Sequence, residues 1–204
     1  MTLPTFKVEV YIGSWTDITS DVISDSIIRG DWGLSGNDFL DRMGKTGTLN
    51  FQLDNSTGQY SPDNASALAG WGIGLKIKLT ITFDTVDYVR FVGKIDFLGI
   101  DGGTKGRRRV TVTTVDWMRE TTDYPLTLNT LETNKYADSG IRTIIDRLPT
   151  SPAATSFENG DNLFPTLFDA VSTSTRAYSE INKILMSELG YCYLKKDNTN
   201  SKIL

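Results

Sequence analysis

LKIKLTITF, at residues 75–83, alternates an apolar residue (Leu75, Ile77, Leu79, Ile81, Phe83) with a polar one (Lys76, Lys78, Thr80, Thr82) without a break. Successive side chains of a strand point to opposite faces, so this period of two predicts a strand with one face in a core and the other in solvent. The flanking sequence repeats the pattern. VDYVRFVGKIDFLGID (86–101) and RRRVTVTTVDWM (107–118) follow, joined by Gly102-Gly103-Thr104-Lys105-Gly106, whose glycines mark a hairpin connection. On the N-terminal side, GTLNFQL (47–53) turns Leu49, Phe51 and Leu53 inward, and FKVEVYIG (6–13) sets Phe6, Val8, Val10 and Ile12 on one face. WTDITSDVISDSIIRGD (15–31) reads as two short extended pieces around Thr19-Ser20-Asp21. About six strands joined by short turns predict an antiparallel β-barrel or sandwich over residues 1–124.

The pattern changes after Tyr124-Pro125. SGIRTIIDRL (139–148) begins at a capping serine, spaces Ile141, Ile144, Ile145 and Leu148 as a helix does, and stops before Pro149. STRAYSEINKILMSELG (174–190) places Ala177, Ile181, Ile184, Leu185 and Leu189 on one stripe and ends at Gly190. YCYLKK then reads as a strand leading into the turn DNTNS, and a return strand is due where the chain stops at Leu204, as in a piece of a longer polypeptide. The expectation is an α+β, mainly β protein, with residues 125–204 forming a smaller α/β segment with two helices, incomplete at its C-terminus, behind a linker at 127–139.

The 204 residues are 39% hydrophobic and carry a net charge of -4, enough apolar surface for a core and no basic excess toward nucleic acid. No run approaches the roughly 18 apolar residues of a spanning helix, and MTLPTFKVEVYIGSW lacks the basic start of a signal peptide, so neither secretion nor membrane insertion is expected. Cys192, the single cysteine, lies in the apolar run YCYL and reads as a small buried hydrophobe.

There is no histidine, which removes Ser-His-Asp and Cys-His nucleophiles, HExxH zinc sites and imidazole bases. Carboxylate-pair chemistry has Asp54, Asp63, Asp96, Asp101 and Asp116 to draw on, but surface acids are common and one sequence measures no separation between them. Met43-Gly44-Lys45-Thr46-Gly47 resembles the end of a phosphate-binding loop, yet Phe39 stands where that loop needs glycine. The chain is expected to be neither an enzyme nor a holder of a cofactor.

The stretch DNSTGQYSPDNASALAG (54–70) gathers turn-forming and small polar residues. Asp54, Asn55, Asp63 and Asn64 offer oxygens to a metal or a sugar, but the spaced ligands and terminal glutamate of a calcium loop are missing. The other reading is a clamp: Asp54 and Asn55 accept backbone N–H bonds across a turn, Gly58 supplies a positive φ, Tyr60 follows, and Pro62 fixes the exit. Arg107-Arg108-Arg109 is a solvated strand end or a contact with an acidic neighbouring subunit, and Trp71 is a further interface candidate. Trp15, Trp32 and Trp71 would serve a carbohydrate- or receptor-binding module if exposed on a concave face.

Taken in order, Leu53-Asp54-Asn55, Tyr60-Ser61-Pro62, Gly74, Phe91-Val92-Gly93-Lys94-Ile95-Asp96 and Asp116-Trp117 resemble the N-terminal domain of tail-hub or baseplate-hub (minor tail) proteins of tailed bacteriophages. The resemblance covers roughly residues 6–120, and the two helices followed by Gly190-Tyr191-Cys192-Tyr193 are similar to that family's next segment. It implies a barrel like that of tail-tube proteins and a homo-oligomeric ring, trimer favoured and hexamer possible. It also implies partners among tube, tip and fibre proteins, and a place in the virion tail after synthesis in the host cytoplasm. The chain departs from the family's two barrels per subunit in having room for one. Under this reading the edges of strands 75–83 and 107–118 are expected at the ring interface.

Overall fold

The computed structural model of the protein describes residues 3–24, 26, 29–34, 36, 38, 40–103, 106–127, 131–168, 175–196 and 201–203. The hairpin residues Thr104 and Lys105, part of the expected linker, the start of the expected second helix at Ser174 and the turn 197–200 lie outside these. The chain divides into two compact units, Met1–Asp31 with Gly47–Asp116 and Lys196–Asn200, and Trp32–Thr46 with Trp117–Lys195 and Ser201–Leu204.

The first unit is built on a seven-stranded antiparallel sheet in the order β2-β1-β5-β6-β7-β4-β3. Its strands are β1 (Thr5–Ile12), β2 (Ser14–Asp17), β3 (Arg29–Leu34), β4 (Gly44–Asp54), β5 (Lys76–Phe83), β6 (Val86–Asp101) and β7 (Arg109–Val115). Of the faces read from the alternation, Val8, Val10, Leu49, Phe51, Leu53, Ile77 and Leu79 are buried while Phe6 and Phe83 are exposed; Phe91, Ile95, Val110 and Val112 complete the core.

A closed barrel is not what the hydrogen bonds make. The ladder has two ends, β2 and β3, because β2 is only four residues long and a single 3-10 turn, Thr19–Asp21, carries the chain off β1. The chain itself then spans the opening, Val22 bridging Leu53 and the Ile23 N–H donating to the Gln52 carbonyl at 2.9 Å. The result is a sheet coiled over its own core, sandwich-like, with an irregular strap where a barrel would have a last strand pair.

β6 serves two hairpins in succession. Val86–Lys94 pairs with β5 and Lys94–Asp101 with β7, and one extra residue sits in β6 at each register shift, at Arg90 and at Asp96. Such bulges bend a strand and increase its twist, which is how a strand of 16 residues follows a small core. Gly93 lies between them. A Cβ there would stand 2.4 Å from the Val115 carbonyl oxygen and 2.6 Å from the Phe91 ring, so the glycine of Phe91-Val92-Gly93 is a place where ring and neighbouring backbone close over the chain.

Both β5 and β7 lie inside the sheet, paired on each side, so neither offers the free edge expected for a ring contact. The edges are β2, which is short, and β3, RGDWGL, which carries charges and glycines that discourage edge pairing.

The second unit holds α1 (Met118–Asp123), β8 (Glu132–Tyr136), α2 (Ala137–Ile145), β9 (Ala154–Thr155), β10 (Leu163–Leu167), α3 (Ala177–Glu188), β11 (Leu194–Lys196) and β12 (Ser201–Ile203). β8 lies within the expected linker and pairs antiparallel with β10, while β12, the expected return strand, lies between β11 and β9. Ile141, Ile144, Ile145 and Leu148 meet Ala177, Ile181, Ile184 and Leu185 in the helical core. Met43 is buried with them, and its segment hydrogen-bonds the 192 region (Gly44 N–H to Cys192 carbonyl, 2.7 Å; Cys192 N–H to Arg42 carbonyl, 2.9 Å), so a single cut at residue 124 does not describe the division.

Two helix-end details differ from expectation. α2 begins at Ala137, so Ser139 is inside its first turn and not its cap. α3 ends at Glu188, which takes Leu189 off the buried stripe: it is 65% exposed and itself holds the left-handed conformation (φ +56°) expected at Gly190.

Candidate interaction surface

The 54–70 loop and the arginine run are neighbours. Asp54 ends β4 opposite Arg109 of β7; the Asn55 N–H donates to the Arg108 carbonyl at 3.0 Å, and Arg107 Nε stands 3.3 Å from Asp54 Oδ2. The Asp54 carboxyl is held below the usual carboxylate range, by the hydrogen bond from the Ser56 N–H (2.9 Å) and by the Arg107 and Arg109 charges, against slight desolvation.

The amide oxygens of Asn55 and Asn64 turn onto the loop's own backbone, while Asp63 is exposed. Asn55, buried, accepts the Tyr60 N–H at Oδ1 (2.9 Å) and donates from Nδ2 to Ser61 Oγ (2.8 Å), and the Gly58 N–H reaches the Asn55 carbonyl at 3.0 Å with Gly58 at φ +79°. Asn64 Oδ1 accepts the Ser66 N–H at 2.9 Å. Tyr60 is buried, its ring edge-on to Trp71 with centroids 4.8 Å apart and its hydroxyl donating to Asp21 Oδ2 at 2.5 Å. Burial first, and then that bond, raise the Tyr60 hydroxyl pKa well above its ordinary value. Pro62 follows as the chain leaves this turn for a short series of further turns at Asn64, Ala67 and Trp71. This is the geometry of a clamp fastening strand end to core. Among the described residues no group of three His, Cys, Asp or Glu side chains is placed to hold a metal ion.

Trp71, an interface candidate by sequence, is 5% exposed and belongs to the core under this loop. Trp15 packs edge-on to Tyr11 (5.4 Å) and under the Lys78 ammonium (4.5 Å), which leaves Trp32, 36% exposed on β3, as the more open of the three aromatics considered for sugar binding. The arginines are exposed: Arg109 reaches Gln52 Oε1 at 3.4 Å, and Arg108 contributes its carbonyl to the clamp. Cys192 is buried as expected, and burial pushes its thiol up to about 12. No helix among the described residues is long and apolar enough to cross a membrane.

Sequence reasoning turned Phe83 inward and did not anticipate a second surface. The register aligns Phe6, Ile81 and Tyr88, then Phe83 and Val86, on the face that carries Val8 and Leu79 into the core. The core ends at Leu79 while the strands run on, so Phe6, Phe83, Val86 and Tyr88 are each 43–49% exposed.

No protein-family model matches the chain, and no curated protein matches it in sequence. Solved structures do share its fold. The 43 kDa tail protein of prophage MuSo2 from Shewanella oneidensis aligns with 98% of this chain and 55% of its own (TM-score 0.60, 11% identity). A tail protein from Neisseria meningitidis MC58 aligns with 97% of this chain and 50% of its own (TM-score 0.56, 14% identity). A chain of the lidded Francisella PdpA-VgrG complex aligns with 98% of this chain and 28% of its own (TM-score 0.55, 14% identity). This chain therefore spans about half the length of the first two. At such identities the likeness establishes the fold, which is mainly β with three α-helices among the described residues.

Proposed function

We propose that the chain is a structural component of a phage or phage-like tail, part of the hub or tail-tip ring that joins the tail tube to the tip or fibre apparatus through subunit contacts. The observation that carries this reading is the fold itself, shared over nearly the whole chain with two tail proteins and with a chain from a VgrG complex. The motif run from Leu53-Asp54-Asn55 to Asp116-Trp117 supports it, because those residues have structural work: Asn55 ties the clamp, Gly93 admits a close crossing, and Asp116 Oδ1 accepts the Gly47 N–H at 2.9 Å where β4 and β7 part.

The role is non-catalytic and cofactor-free, its partners are copies of the chain and other tail proteins, and its place is the virion tail. The absolute mass of the chain, by light scattering across an eluting size-exclusion peak at several concentrations, tests the ring. A trimer, or a hexamer, is expected. A monomer at every concentration contradicts a ring built by this segment.

A further inference from the structure

Asn159-Gly160 is the sole asparagine-glycine step in the sequence, and it stands in the irregular stretch between β9 and β10. The side-chain amide of an asparagine is open to attack by the backbone nitrogen of the next residue, which closes a five-membered ring, and a following glycine leaves that approach free of a Cβ. Packing calls for the glycine here. A Cβ at 160 would stand 2.8 Å from the Ala137 nitrogen and 3.1 Å from both Ala137 Cβ and Glu188 Oε1, so a larger residue would push the stretch off the start of α2.

Both reacting groups are placed for that attack. Asn159 is exposed, and its amide has no hydrogen-bond partner among the described residues. The Gly160 N–H points at Asp138 Oδ1 at 3.4 Å, a long bond to an acceptor that is also a base, while the other oxygen of Asp138 faces Arg142 Nε at 3.8 Å. Asp138, Asn159 and Gly160 line one cleft together with Lys135 and Asp161. Asn55-Ser56 gives the contrast: Asn55 is buried with both ends of its amide bonded, so it does not turn onto the Ser56 nitrogen.

We propose that Asn159 is a site of spontaneous deamidation and isoaspartate formation, with Asp138 as the base that takes the Gly160 proton. The Gly160 nitrogen bonds to Asn159 Cγ as its proton passes to Asp138; the Cγ–Nδ2 bond then breaks and Nδ2 leaves as ammonia, carrying that proton away. Water opens the resulting succinimide at either carbonyl. Attack at the side-chain carbonyl gives aspartate, and attack at the backbone carbonyl gives isoaspartate, whose main chain is one methylene longer. Either product adds a carboxylate to the cleft that Asp138 and Asp161 already line. Glu188, the last residue of α3, holds the turn that follows by accepting the Asp161 N–H, the Asn162 N–H at 3.2 Å and the Asn162 amide at 3.0 Å. The new charge and the longer main chain loosen that turn from the helix end.

The proposal stands apart from the tail reading and is tested on the full chain alone. The folded protein is held at neutral and at mildly alkaline pH, with far-UV circular dichroism verifying the fold. Peptide maps then record the one-dalton gain at each asparagine, and an isoaspartyl methyltransferase labels the isoaspartate. Asn159 should convert well before Asn55. Asp138→Asn should slow conversion at 159 by about tenfold or more in the folded chain and leave it unchanged in urea, where the base is no longer held at the nitrogen. Conversion at 159 no faster than at 55 overturns the site; conversion that Asp138→Asn leaves untouched, or slows equally in urea, overturns the base. Amide hydrogen exchange at Asp161 and Asn162 should quicken in the converted chain, and unchanged exchange would overturn the loosening of the turn.

Discussion

Asn55 bonds through its backbone and through both ends of its amide from a position 3% exposed: its backbone N–H on Arg108, its carbonyl under the Gly58 N–H, its amide oxygen on the Tyr60 N–H and its amide nitrogen on Ser61. Truncation would leave the buried Tyr60 donor without an acceptor, and an unmade buried bond costs more than a made one contributes. Asn55→Ala should therefore lower unfolding free energy by about 2–3 kcal/mol in urea titration, the bond itself supplying about 1 and the orphaned donor the rest. Loss of under half a kcal/mol would show the loop to be an ornament of the fold. At this scale the sequence was readable where backbone chemistry dictates the residue: Asn55, Gly58 and Pro62 fall in turns because turns need them, and Asp54 ends the strand before them. It was not readable where a long-range partner decides. Asp21, 39 positions away, takes the Tyr60 hydroxyl, and Trp71 is drawn inward by the Tyr60 ring, with no local pattern marking either.

Along the elements, β1 and β5 are joined on their outer face by Glu9, which meets Lys7 and Lys78 at 2.8 Å each. Burial alone would raise the Glu9 carboxyl pKa, but hydrogen bonds from both lysines outweigh it and hold it below the ordinary value. A depressed folded-state pKa means stability that is present above the unfolded value of about 4.3 and is lost as pH falls through the folded value. Urea midpoints should accordingly fall as pH drops from about 5 toward 3, and Glu9→Gln should flatten that fall; an unchanged slope in the variant would assign the acid sensitivity elsewhere. Strand identity along this sheet was legible from the period of two, and β6 runs over the residues expected of it, 86–101. The limit of burial was not. Alternation reports which face a side chain takes and not how far along the strand that face is covered, so Phe6 and Phe83 read as core-facing and stand exposed.

For the whole molecule, strand count left barrel and sandwich both open and put a cut before the helical segment, and settling either needed non-local information. Closure depends on whether the four-residue β2 reaches β3, which it does not, and the division depends on Met43 lying in the helical core. The fold that results, shared with tail proteins over almost all of this chain, is the basis of the ring proposal. Electron cryomicroscopy of the tailed particles encoded together with this chain tests that proposal most directly. Density for this coiled sheet, in several copies around the axis, is expected at the end of the tail tube; intact tails whose tip contains no such fold would overturn the ring proposal.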